Sequence, residues 1–336
     1  MKKFYLIFLL ILIFSVPAFP RGKLFQKLEG KIVNSTRITD LETYESKLIR
    51  KPKQDGTDWI GFLSPDGKRM VFRYGLEDKS KEQDNELRII DSGGKNEKIL
   101  IKTKFLLHFR WSPDSKFIIV DTADVPEIRI INPDNGDVWK IEIPRDKIDS
   151  YGTLHWSKDG KRIIFLGWTA GKNGVPGVFQ IDLDGKNLKQ LALFPEPSSG
   201  AISPDEKWVA FVPGDDDIYL MDIEGKSYRR LWKTKKFEHA LFWSPDSKWI
   251  GAQMRTRDTM HLSEFVVRNI ETGARKQLPI YELSFQLQWW APQTETPPDC
   301  ETIVREMLGP PSGKIEIIPV ESSAESSSAN GSTGSP

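Results

Sequence analysis

Short apolar runs recur along this chain, each directly after a polar turn. The turns have the form Ser-Pro-Asp-Gly-Lys with small changes, and they begin at Ser64, Ser112, Ser157, Ser203 and Ser244. A worn sixth copy lies at 289–292, and the copies are about 45 residues apart. Pro presets φ for a tight turn, and Gly tolerates the left-handed geometry that follows. Because short unbroken apolar runs are typical of strands covered on both faces, each copy predicts a buried hairpin.

A second pattern lies between these copies. It is an aliphatic residue followed by Asp or Asn, then a Gly-containing turn, then a strand that carries a cation, as in Ile90-Asp91, Gly93-Gly94 and Lys98. Such a pattern predicts a more exposed hairpin, whose lysine protects an outer sheet edge. Two hairpins in about 45 residues are the signature of one four-stranded β-propeller blade.

The order of the two patterns predicts how the ring closes. The chain opens on an outer pair at 37–49 and closes on an inner strand at 284–291. Joined together, these would form a composite blade. The sequence therefore predicts an all-β, six-bladed propeller of four-stranded antiparallel blades over residues 37–320. Within 292–320 the assignment is less defined, and Ile315–Ile318 is a candidate to complete the last blade.

Both ends of the chain have a distinct composition. Lys2 and Lys3 precede an apolar run at 4–14, so residues 1–18 predict a signal peptide and a periplasmic or secreted protein, with an uncleaved anchor as the alternative. Residues 19–36 are then a linker, and the Ser-rich residues 321–336 predict a disordered tail. A net charge of +1 argues against nucleic-acid binding, and a single cysteine, Cys300, excludes an internal disulfide.

The turn and the run after it resemble a known repeat. Trp-Ser-Pro-Asp-Ser-Lys followed by a β-run, at 111–120 and 243–250, is similar to the WD40-like repeat of the TolB-type β-propeller family. The resemblance covers about 37–292 and implies the propeller, but not the role of TolB itself in envelope assembly. The chain departs from the pattern at Lys158 and Ile202, and too few residues precede 37 for the α/β domain that TolB carries there.

Signatures of catalysis are sparse. The sequence has no G-x-S-x-G elbow, H-E-x-x-H helix, P-loop or G-x-G-x-x-G motif. Three histidines, His108, His155 and His239, lie on or near predicted innermost strands, where imidazoles could converge on a metal. Oligogalacturonate lyases, which have a similar propeller, hold a metal with histidines. The alternative is that the three histidines are packed separately between blades.

Variable loops on one face of the predicted disc suggest where a partner binds. Binding residues concentrate on loops held by a rigid scaffold. We expect an exported, non-enzymatic module for a protein or peptide partner in the cell envelope, with no required cofactor. The alternative is a metal-dependent polysaccharide lyase or hydrolase acting in the channel. Binding of a structural calcium ion is a further alternative. The candidate binding residues are Tyr74, Tyr151, Trp168, Asp215, Asp217, Glu238, Arg255, Arg257 and His261.

Overall fold

A computed structural model describes most of the repeat region. The described residues are 31–33, 37–40, 46–49, 56–76, 85–104, 106–122, 127–193, 197–213, 217–233, 237–256, 259–278, 288–291 and 293–320. The predicted signal peptide and Ser-rich tail therefore lie outside the described residues. Within the described ranges, none of the helices has the length and apolar character needed to cross a membrane.

Strands and one helix follow one another in a regular order. The N-terminal strands are β1 (Lys31–Val33), β2 (Arg37–Asp40) and β3 (Ser46–Leu48). The strands of the repeats are β4 (Gly56–Leu63), β5 (Arg69–Leu76), β6 (Asn85–Asp91), β7 (Lys98–Thr103), β8 (Leu106–Trp111), β9 (Ile118–Thr122), β10 (Glu127–Ile131), β11 (Asp137–Glu142), β12 (Ile148–Trp156), β13 (Arg162–Thr169), β14 (Pro176–Asp182), β15 (Lys189–Leu193), β16 (Pro197–Ile202), β17 (Trp208–Pro213), β18 (Ile218–Asp222), β19 (Tyr228–Trp232), β20 (Phe237–Trp243), β21 (Trp249–Thr256), β22 (Thr259–Asn269) and β23 (Arg275–Leu278). The C-terminal elements are β24 (Gln288–Trp290), α1 (Cys300–Leu308), β25 (Gly313–Lys314) and β26 (Ile318–Pro319).

The prediction of six equal four-stranded blades is wrong. Over the described residues the structure has five blades of four or five antiparallel strands, each built on four consecutive strands. The first blade (β4–β7) gains β26 at its edge and the second (β8–β11) gains β25, whereas the third (β12–β15), fourth (β16–β19) and fifth (β20–β23) have four strands. The two ends of the chain meet in a separate closing sheet of order β24-β1-β2-β3, whose strand β24 contacts β4 and β20.

The closing sheet differs from the predicted composite blade in its parts. Three N-terminal strands, rather than one outer pair, join the single C-terminal strand β24. The last copy of the repeat has lost the Asp of the turn. Among the described residues it supplies the three-residue strand β24, and β1 takes the neighbouring position, with Ile32 opposite Trp289.

The predicted turns are confirmed in atomic detail. In the first blade the Ser64 hydroxyl donates to Asp66 at 2.6 Å and accepts from the Arg69 amide at 3.0 Å, while Gly67 has φ 73°. The same Ser–Asp bond recurs in the other four blades. These side chains satisfy backbone donors that the tight turn leaves unpaired. The inner hairpin is therefore encoded locally in each repeat.

The core is a set of apolar layers between blades. One layer packs Trp139, Ile141 and Phe117 of the second blade against Trp156 and Phe165 of the third. A second layer lies between the first and second blades, where the Trp111 indole donates to the Phe62 carbonyl at 2.9 Å. Trp243 likewise donates to the Ala201 carbonyl of the preceding blade at 3.0 Å, so these two tryptophans link neighbouring blades both by burial and by hydrogen bonding, whereas the Trp156 indole donates to Gly160 of its own turn.

The C-terminal segment, residues 293–320, packs on the turn side and rim of the disc. The Gln293 amide nitrogen donates to the Pro113 carbonyl at 2.9 Å, and Cys300 of α1 is buried among the residues of the second and third blades. The prediction that 315–318 complete the last blade is wrong, because Ile318 of β26 pairs with Ile99 of β7. Two outer edges are therefore covered by strands of the same chain, which protects them from pairing with other molecules.

Candidate functional site

The first strand of every blade lies at the centre of the disc. Strands β8 and β12 contact each other, as do β12 and β16, and β16 and β20. Each of these inner strands also has a break in its register, as at Gly152/His155 in β12 and Leu106/His108 in β8. Such bulges redirect side chains out of the regular alternation. Several polar side chains lie near these breaks, at the seams between blades.

A histidine and a buried aspartate form a pair on the loop side of the channel. The Nδ1 atom of His108, on β8, lies 3.3 Å from Oδ2 of Asp121, at the end of β9. The Asp121 side chain is 4% exposed and the His108 side chain 30% exposed. With Nδ1 donating to the carboxylate, the Nε2 atom is the acceptor on the other side of the ring.

A glycine on the next blade makes room for this ring. A Cβ atom added at Gly152 would lie 3.1 Å from Cε1 and 3.3 Å from Nε2 of His108. Real side chains rarely approach so closely, so the imidazole would have to shift by a few tenths of an ångström beside a larger residue. The bulge of β12 and the His108–Asp121 pair are therefore fitted to each other across the seam between the second and third blades.

Two buried hydroxyl groups lie near the ends of these strands, Tyr151 close to Asp121 and Thr122 on the opposite face of β9. The oxygen atoms of Thr122 and Tyr151 are buried and make no hydrogen bond to any described residue. Burial raises the pKa of the Tyr151 hydroxyl well above its ordinary value, and the negative charge of Asp121 adds to this effect. The Arg145 guanidinium lies 5.5 Å from the Tyr151 ring. The loop side of the seam between the second and third blades thus holds a polar cluster of His108, Asp121 and Tyr151, in which the His108 ring is partly exposed.

An arginine, Arg110, lies two residues after His108 on β8, closer to the turn side of the disc. The guanidinium of Arg110, on β8, lies 4.0 Å from the Phe62 ring of the first blade, and its Nη1 donates to the Phe109 carbonyl at 2.8 Å. Burial lowers the pKa of Arg110 to about 10, so the group stays charged at neutral pH. Among the described residues no carboxylate forms an ion pair with it within 4.0 Å.

His155 lies next to Arg110 on the third blade. Burial, and then the positive charge of Arg110, lower the pKa of His155 to about 4, so its imidazole is neutral at pH 7. Its Nε2 atom is buried and hydrogen-bonds to none of the described residues. The nearest carboxylate oxygen, Oε1 of Glu206, is 4.0 Å away, and burial raises the pKa of Glu206. Glu206 also accepts a hydrogen bond from the backbone amide of Lys158.

The three predicted metal-binding histidines do not form a metal centre in the part of the chain that the structure describes. No group of three His, Cys, Asp or Glu side chains comes together there as possible ligands. His108 pairs with Asp121 while His155 lies near Arg110 and Glu206. His239 is in β20, but its side chain lies outside the described residues, so a three-histidine site stays a prediction.

The predicted binding residues fall into different environments. Tyr74 is fully buried, with the Arg88 guanidinium 3.7 Å from its ring, and Asp217 is buried in an ion pair with Arg230 at 3.2 Å. Tyr74 and Asp217 therefore have packing roles in the structure, and a role of either in binding stays a prediction. Trp168 is half-buried at the loop end of β13, opposite Pro176. Asp215 and Arg257, and the side chains of Glu238, Arg255 and His261, lie outside the described residues.

Of the predicted binding residues whose side chains the structure describes, Tyr151 is the one that lies in this polar cluster. Sequence reasoning missed Arg110 and Asp121. The signal for Arg110 is the alternation in 108–111, His-Phe-Arg-Trp, which places His108 and Arg110 on one face of the strand and the two aromatic residues on the other. The signal for Asp121 is a charged residue that directly follows the apolar run 117–120.

Comparison with known proteins supports the fold. No protein-family model and no curated protein matches the chain. Among solved structures, TolB from Acinetobacter baumannii has 18% identity and a TM-score of 0.60, covering 79% of this chain and 67% of that one. A structure assigned to TolB from Agrobacterium tumefaciens has 16% identity and a TM-score of 0.50, over 74% and 86% of the two chains. An oligogalacturonate lyase in complex with manganese has 13% identity and a TM-score of 0.51, over 73% and 70%. The resemblance inferred from the repeats is thus confirmed at the level of the fold, which is that of a TolB-like β-propeller.

Proposed function

We propose that this protein is a binding module of the cell envelope that takes part of a protein or peptide partner into its channel from the loop side. The observation that carries the proposal is the Arg110 guanidinium, which has no carboxylate partner among the described residues and lies on the same strand face as the partly exposed His108 of the His108–Asp121 pair. Polar groups left unsatisfied in a protein are costly, and a ligand that bonds to them recovers that cost.

The C-terminal segment supports entry from the loop side. The segment follows β24, which contacts β4 and β20. Its Gln293 side chain donates to the Pro113 carbonyl in the turn of the second blade, and its Glu295 carboxylate lies 3.6 Å from Nζ of Lys158 in the turn of the third. It therefore runs along the turn side of the channel. The loop side is the side on which the His108–Asp121 pair and Tyr151 lie. The envelope location is part of the proposal and depends on the predicted signal peptide.

Partner capture tests this function. Full-length protein is immobilised and exposed to an envelope fraction from its own source, in parallel with His108→Ala and with Arg305→Gln, a substitution on the exposed surface of α1. We expect a discrete set of proteins to be retained by the wild type and by Arg305→Gln and lost with His108→Ala. Equal retention by all three, with folding of each checked by circular dichroism, would contradict binding through the channel.

A further inference from the structure

Arg110 is a cation in the channel for which the described residues provide no anion. Its Nη1 has the Phe109 carbonyl as its one hydrogen-bond acceptor, and the Phe62 ring covers one face. The residue is only partly exposed, and its other nitrogens are not among the buried, unpaired polar atoms. Removing a charge from water without a counter-ion is unfavourable. Packing therefore does not account for an arginine at this position.

We propose that Arg110 binds a carboxylate of an acidic peptide segment of the partner, next to the neutral His155 imidazole. This inference rests on the proposed function and specifies the chemistry of the ligand. Guanidinium donors lie in a planar fork that matches the two oxygens of a carboxylate. The contacts with Phe62 and Phe109 hold the stem in place, so little side-chain freedom is lost when the carboxylate binds.

The spacing of the polar groups fits an extended peptide. His108 and Arg110 are two residues apart on β8, which is about 7 Å along a strand. Successive side chains on one face of an extended segment have the same separation. A segment entering from the loop side would meet the His108–Asp121 pair first and Arg110 next. The Phe62 ring, which could otherwise stack on a sugar, is covered by the guanidinium, and this favours a peptide over a saccharide.

Calorimetric titration of the full chain with defined probes tests the proposal. The probes are acetyl-tetraglutamate, its neutral counterpart acetyl-tetraglutamine, and trigalacturonate, which offers carboxylates on a sugar. We expect the tetraglutamate to bind and the tetraglutamine not to bind. Arg110→Gln should weaken tetraglutamate binding at least tenfold, Arg110→Lys should weaken it less, and Arg305→Gln should leave it unchanged.

Several results would overturn the inference. These are the absence of tetraglutamate binding, equal binding to the wild type and Arg110→Gln, or Arg110-dependent binding of trigalacturonate alone, which would assign the site to a saccharide. Thermal unfolding of Arg110→Gln checks its fold, and because Arg110 has no ion pair to lose but does contact Phe62 and the Phe109 carbonyl, we expect only a small decrease in melting temperature. If envelope proteins are captured through His108 while tetraglutamate does not bind, the proposed function stands and this inference fails.

Discussion

His155 gives the structure a specific dependence of stability on pH. Its side chain is 23% exposed, and burial together with the charge of Arg110 lowers its pKa from 6.5 to about 4. In the unfolded chain the imidazole takes up a proton below about pH 6.5, whereas in the folded protein it does so only below about pH 4. The unfolded state therefore binds more protons across this window, and stability is lost as the pH falls from 6.5 to 4.

The size of this loss follows from the two pKa values. Each pH unit within the window corresponds to about 1.4 kcal/mol, so the full effect is about 3 kcal/mol, or about 2 kcal/mol after allowance for partial solvent access. The substitution His155→Gln removes the titrating group. We expect the wild type to lose about 2–3 kcal/mol more than His155→Gln between pH 7 and pH 4. Glu206 and the other titrating groups are common to both proteins, so their effects largely cancel in the comparison.

Urea unfolding at pH 7.0, 5.5 and 4.2 measures this difference. The free energies of unfolding of the two proteins should converge, or change order, as the pH falls. A constant difference across the three pH values would refute the reasoning, because it would mean that His155 titrates at a similar pH in the folded and unfolded chains.

Three further predictions concern the seam, the C-terminal segment and metal content. Gly152→Ala places a methyl group 3.1 Å from the His108 ring and should lower the free energy of unfolding in urea by about 1–3 kcal/mol. Gly93→Ala is the control, because no atom lies within 4 Å of the added carbon, and it should leave that free energy unchanged. Equal effects of the two substitutions would contradict the close fit between Gly152 and His108. Trp139→Phe removes the indole donor to the Gly309 carbonyl at 2.9 Å and should cost about 1 kcal/mol and speed proteolysis near α1; an unchanged cleavage rate would argue against that anchor. Elemental analysis of protein purified without added metal should find no stoichiometric transition metal, and one equivalent that is lost in His108→Ala would favour the lyase alternative.

Local chemistry made much of the fold predictable from the sequence. The inner hairpins follow from a turn whose Ser and Asp bond to each other and to the backbone within five residues, as Ser64, Asp66 and Arg69 do. Each repeat carries its own copy of this information. The position of Tyr151 on an inner strand could also be predicted from the sequence, because Tyr151 lies a few residues before a repeat and the first strand of each blade ends at the repeat.

Features that depend on distant contacts could not be predicted in this way. Strands β25 and β26 are two residues long and are strands only because the edges of β11 and β7 accept them. The predicted number of blades was wrong because the last repeat, which has lost its turn, was counted as a complete blade. The unpaired state of Arg110 depends on which side chains three neighbouring strands bring together, and no local pattern encodes that.

The most direct test of the central claim compares two positions for a photo-crosslinking amino acid in intact cells. Benzoylphenylalanine replaces an aromatic residue in both cases, Trp168 on the loop side and Tyr228 on the turn side, where it is 61% exposed. We expect a discrete crosslinked partner from position 168 and little or none from position 228. Equal adducts from both positions, or an adduct from 228 alone, would contradict binding through the loop side of the channel.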